Sequence, residues 1–250
     1  MRKFMLVLVL FVIIRCAPAP SAGFGKPILW YTVYDPWAMF IGSEGPIFTV
    51  YESGHVLYWA NKRYHKALLS KGELDGLFQQ FRLKDTFFLQ SRYIEASTAT
   101  DQPSYVLQLN LDTLKTFLVY GNMQNQDSRL KIPAVLLNAY TKATTYSNDA
   151  AIDWLPDKVE VMLTDYSNSP EKPIPWPAGW PDLKSRSTRL REGGASLYLE
   201  PKHFDEFRRM LASLKERQAF LISGKLFGAG YRLPIPGVDS VLAAEMRKYR

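Results

Sequence analysis

The 250-residue chain carries 31 Lys and Arg against 24 Asp and Glu, a net charge of +7, with 47% hydrophobic and 14% aromatic residues. That apolar content suits a globular core of one large or two small domains. The basic excess is too mild for a nucleic-acid binder, because Arg2, Lys3 and Arg15 fall in a leader.

The leader is read first. Arg2 and Lys3 precede an unbroken apolar run, Phe4 to Ile14, followed by the small and turn-forming residues of "CAPAPSAG". That order predicts a secretory signal peptide over residues 1–21, with Ala19 and Ser21 meeting the small-residue requirement before a cut at Ala22. The run is short of the roughly 20 residues a spanning helix needs, so no transmembrane segment is expected in the mature chain. Cys16 is the single cysteine, and Arg15 before it departs from the small residue that lipid attachment requires. Loss of the leader leaves no thiol, hence no disulfide framework, thiol nucleophile or thiolate ligand. A cysteine-free mature chain of this size fits a bacterial periplasm or cell envelope.

Two halves are expected after the leader, 22–150 and 151–250. In the first, "PILWYTVY" predicts a strand, and "GPIFTVYESGHVLYWA" predicts a hairpin turning at Ser53-Gly54. "SKGELDGLFQQF" predicts a helix: Ser70 and Glu73 have capping-box spacing, and Leu74, Leu77, Phe78 and Phe81 share a face. "SYVLQLNLDTLKTFLVYG" predicts a second hairpin near Asp112. Pro133 opens a helix to about Tyr146 with Val135, Leu136, Ala139, Tyr140 and Ala143 inward.

The second half begins with a strand in "DKVEVMLTDY" and continues through a Trp/Pro connector, residues 170–183, and the basic run "KSRSTRLR". A strand in "ASLYLE", a helix in "PKHFDEFRRMLASLKER" and a hairpin turning at Gly224-Lys225 follow, with a short helix from about Ser240. Gly228 and Gly230 are read as bulge or close-approach positions. The fold class is therefore α+β: antiparallel sheets built of hairpins, amphipathic helices on one side, two closely packed halves.

The "VYxxGxVxY" pattern at 50–58, the "LSxxEL" pattern at 69–74 and the "TDxP" pattern at 100–103 resemble uncharacterised secreted bacterial proteins in which this hairpin, helix and hairpin occur in the same order. The resemblance implies an α+β envelope protein and carries over no catalytic residue.

Chemistry is sparsely signalled. His55, His65 and His203 lack the i, i+4 spacing of a zinc protease, no Gly-x-Ser-x-Gly elbow is present, and "GKLFGAG" lacks the order of a phosphate loop. No catalytic residue, metal or cofactor is assigned. Asp101, Asp112, Asp157, Glu160, Asp165 and Asp182 are the carboxylates from which a hydrolytic acid/base pair would have to be assembled.

The connector "KPIPWPAGWPDL" holds four prolines and two tryptophans, so it cannot lie inside a sheet. Trp176 and Trp180 are either wedges that seal the two halves or a stacking strip for sugars or peptides. The second alternative makes Trp176 and Trp180, with Arg186, Arg189 and Arg191 of the basic run, the ligand-binding residues. The expected function is a secreted, non-catalytic binding module for an envelope protein, a glycan or an anionic surface. Its rival is a periplasmic carboxylate-dependent hydrolase acting on cell-wall glycan.

Overall fold

The computed structural model describes residues 23–40 and 42–246. The expected leader, with Cys16, lies outside the described residues. Among those described, five α-helices and fourteen strands form a mixed α+β architecture with two sheets. No helix among them is long and apolar enough to cross a membrane.

The first sheet contains β1 (Pro27–Tyr34), β2 (Phe48–Tyr51), β3 (His55–Ala60), β4 (Arg63–Leu68), β5 (Arg92–Glu95), β6 (Ser104–Asn110), β7 (Leu114–Tyr120) and β8 (Ile152–Trp154), in the order β5-β7-β6-β1-β2-β3-β4-β8. The second contains β9 (Val159–Asp165), β10 (Ile174–Pro175), β11 (Arg189–Arg191), β12 (Gly194–Leu199), β13 (Phe220–Ile222) and β14 (Lys225–Arg232), in the order β10-β13-β14-β9-β12-β11. Neighbours run antiparallel except at two edges, β5 on β7 and β10 on β13, which are parallel. Both sheets are thus mixed, not wholly antiparallel as expected. Strands without a hairpin partner, reached by long connections, supply the parallel edges. The chain leaves the first sheet only after Trp154, because β8 pairs with β4.

Strand alternation divides the first sheet between two cores. Leu29, Tyr31, Phe48, Val50, Leu107 and Phe117 bury on one face beneath helices α1 (Lys71–Gln80) and α3 (Ala134–Thr144). The capping box that starts α1 is present: Ser70 Oγ accepts from the Glu73 N–H at 3.3 Å, and the Ser70 N–H donates to Glu73 Oε2 at 2.7 Å. Val135, Leu136, Ala139, Tyr140 and Ala143 form the buried face of α3. The short α2 (Gln126–Leu130) precedes it, capped by Asn125.

The opposite face brings Trp30, Tyr51, Leu57 and Tyr64 into a second core. They cluster there with Val159, Val161, Leu163 and Leu197 of the second sheet, and with Phe204 and Phe207 of α4 (Phe204–Ser213). Val238 of α5 (Val238–Met246) closes this core. The loop leading from β1 to β2 reaches across to β14 of the second sheet.

Candidate functional site

The described residues of this loop, 35–40 and 42–46, make that passage. The Asp35 carboxylate accepts from the Trp37 N–H at 2.9 Å and turns the chain out of β1. Trp37 and Met39 project outward, 75% and 88% exposed, while Phe40 turns onto β14. A Cβ on Gly230 would lie 2.5 Å from the Phe40 ring, so the missing side chain is what seats the ring on the second sheet. At Gly228 the nearest contact would be an ordinary 3.7 Å. Close approach is therefore required at Gly230 and not at Gly228. The loop returns to the first sheet where the Tyr64 hydroxyl donates to the Pro46 carbonyl at 2.7 Å.

Gly230→Ala is expected to destabilise the protein by about 1–3 kcal/mol through overpacking. Phe40→Ala in the same chain should relieve the clash, so that urea unfolding of the double variant shows less than the sum of the single losses. Strict additivity would show that Phe40 does not occupy the notch.

Two adjoining hollows lie beneath this loop. The outer one, of about 350 Å³, is bordered by Ile47, Trp59, Tyr64 and Tyr231. The inner one, of about 110 Å³, is lined by Trp30, Tyr34, Arg232 and Asp239 among others. Glu44, Gly45 and Leu233 border both. Trp59 meets Tyr64 edge-on with ring centroids 4.9 Å apart.

The fixed charges of the cleft centre on Arg232. Its Nε and Nη2 donate to Glu160 Oε2 at 2.9 and 2.7 Å, and its Nη1 and Nη2 reach Asp239 at 3.2 and 2.9 Å. Glu160 Oε1 accepts from the Ser196 hydroxyl at 2.7 Å. Burial pushes the Glu160 carboxyl up, but Ser196 and the charge and hydrogen bonds of Arg232 outweigh it and hold the group below the usual carboxylate range. Burial, then the negative charge of Glu44, raises the Tyr34 phenol above its ordinary value. The fold thus gathers Tyr34, Glu44, Arg232 and Asp239 from both ends of the chain.

The residues singled out from sequence are distributed differently. Trp180 is buried, 5.2 Å from both Trp176 and His203 by ring centroid. Trp176 is half-buried against Phe207 and Phe220, and its indole N–H donates to the Pro181 carbonyl at 2.9 Å. Both rings therefore pack on Phe207 of α4, and Trp176 also on Phe220 of β13, in the second core that includes Val159, Val161 and Leu163 of β9. Arg186, Arg189 and Arg191 are exposed. Arg189 stacks over the Tyr198 ring at 5.5 Å, and both Arg189 and Arg191 belong to β11. β11 and β10 are opposite edges of the sheet, and Trp176 directly follows β10.

The histidines stay apart. His55 contacts Ser53 and the Phe24 ring, His65 lies 3.4 Å from Asp153, and His203 lies against Trp180. Among the described residues no group of three or more His, Cys, Asp or Glu is placed to hold a metal ion. Of the six carboxylates named from sequence, Asp112 meets Lys115 at 3.0 Å, Asp165 accepts from the Ser167 N–H, and Asp182 accepts from Lys184 N and Ser223. Only Glu160 among these six joins the cleft's ion-pair network. Glu44 and Asp239 were missed, since "GSEG" reads as a turn and no spacing rule links it to residue 239.

Compared with known proteins, the chain matches no family model, no curated protein and no solved structure.

Proposed function

We propose that the protein is an exported, non-catalytic binding module of the bacterial cell envelope, built as two closely packed halves, with the cleft under residues 35–46 as its binding face. Export rests on the leader sequence, and kinship with secreted bacterial proteins on the 50–58, 69–74 and 100–103 motifs. The observation that carries the binding reading is the pinned charge of the cleft: Arg232 holds both Glu160 and Asp239. Fixed, paired charges orient a ligand but make poor proton shuttles.

The acidity of Glu160 supports the same reading, since Ser196 and Arg232 displace this carboxyl of the cleft's ion-pair network downward. A glycosidase acid needs the opposite displacement, to stay protonated near neutrality. The aromatic border, with Tyr34 and Trp59 each more than a third exposed, suits recognition.

The hydrolase rival draws on one feature, the Glu44 Oε2 atom, which has no hydrogen-bond partner among the described residues. Incubation with soluble cell-wall glycan fragments separates the two readings. Retention of intact fragments, with no new reducing ends over many hours, is the expected result. New reducing ends that vanish in Glu44→Gln would establish the hydrolase instead.

A further inference from the structure

Trp30 and Thr49 face each other across β1 and β2, and both are fully buried. Yet Trp30 Nε1 and Thr49 Oγ1, like Glu44 Oε2, find no hydrogen-bond partner among the described residues. Buried polar atoms are rarely left so, because each carries a desolvation cost that a partner normally offsets. Trp30 and Glu44 line the same 110 Å³ hollow, which has room for several water-sized groups.

The chemistry of those two atoms selects the ligand. An indole N–H only donates, and a carboxylate oxygen accepts. A ligand carboxylate would satisfy Trp30 but meet Glu44 and Asp239, with Arg232 already shared between Glu160 and Asp239. A ligand ammonium would satisfy Glu44 and leave the Trp30 N–H unmet. A hydroxyl does both, accepting from the indole while donating to the carboxylate. The outer hollow, at about 350 Å³, lies at the lower end of small-ligand pockets and opens past the Trp59 and Tyr64 rings. Aromatic walls of that kind suit the apolar face of a sugar ring.

We infer that the cleft takes a neutral saccharide unit, one hydroxyl inserted between Trp30 Nε1 and Glu44 Oε2 and its ring against Trp59. This deepens the binding reading and rests on it.

Calorimetric titration of the purified protein with N,N′-diacetylchitobiose and cellobiose, and with a cationic glucosamine disaccharide and an anionic uronate disaccharide, tests it. At least one neutral disaccharide is expected to bind, and both charged ones should bind about tenfold more weakly or worse. Glu44→Ala and Trp30→Phe should each weaken the neutral complex by roughly ten- to a hundredfold, as loss of a hydrogen bond involving a charged or buried group implies. Glu44 is only partly buried, so its variant keeps the test open if Trp30→Phe does not fold.

Neutral disaccharides that fail to bind, or bind both variants unchanged, overturn the inference. A Trp30→Phe protein of raised stability, with no saccharide binding by the parent, would assign the hollow to water and overturn it equally. Envelope glycan retained at the cleft without competition from neutral disaccharides sinks the assignment of a neutral saccharide unit but leaves the binding reading standing. Absence of any envelope binding sinks both.

Discussion

Trp180→Ala is expected to lower the unfolding free energy by about 3–5 kcal/mol, the range for truncating a large buried aromatic. Trp180 is 8% exposed, and its ring meets Trp176, His203 and Phe207. The chain delivers it there through a tight turn: the Trp180 N–H donates to the Pro177 carbonyl at 3.3 Å, and Gly179 takes a φ of +84°. That φ at the third position is the requirement of a type II turn, which glycine meets without strain. Proline at 175, 177 and 181 restricts the unfolded chain, so the run reaches this shape at reduced entropic cost. Trp176→Ala should cost less, since that ring is half-buried, although the Pro181 carbonyl would also lose its donor. Urea unfolding of the two variants measures both. A loss below about 1 kcal/mol for Trp180→Ala is what ordinary surface substitutions show, and would place the ring outside the core.

Alkaline pH should unfold the protein steeply. Tyr31, Tyr51, Tyr64 and Tyr140 are buried, and burial pushes each phenol well above its ordinary value. Tyr31 and Tyr140 stack with centroids 5.0 Å apart, and a negative charge on Tyr31 further disfavours ionisation of Tyr140, as one on Tyr105 does for Tyr31. In the unfolded chain the same phenols ionise near pH 10. Their contribution is therefore fully present below about pH 10 and is lost as pH rises toward the higher folded values. Each group removes about 1.4 kcal/mol per pH unit once the unfolded form is ionised. At about pH 11 the four together amount to roughly 6 kcal/mol, comparable with the whole stability of many domains. Urea midpoints measured from neutrality to pH 11 should hold level and then fall beyond pH 10. Tyrosines that all ionise near pH 10 in the folded protein, with level midpoints, would contradict the burial of these rings.

The elements legible in the sequence are those whose pattern repeats locally. The α1 capping box and the inward face of α3 follow from spacing alone, as does the β2–β3 turn at Ser53-Gly54. β4 was missed because Arg63, His65 and Lys66 interrupt its apolar positions, though Tyr64 reaches the second core. β5 is an exposed edge strand with no apolar face to betray it. Its parallel pairing with β7 is set by tertiary context. The candidate site was less legible still. Trp30 reads as one more core aromatic, Glu44 as part of a turn and Arg232 as a strand terminus. Their shared hollow exists only because β1, the 35–46 loop and the end of β14 converge. The Trp/Pro connector drew attention by composition, yet composition does not distinguish a ring packed on its own sheet from a ring offered to a partner.

Amide hydrogen exchange with and without soluble cell-wall glycan fragments tests the binding face most directly. The cleft reading predicts slowed exchange in residues 30–34, 42–47 and 231–239, with residues 184–191 unchanged. Protection confined to residues 184–191, the exposed arginine edge, would contradict it and move the binding face to the β11 edge of the second sheet.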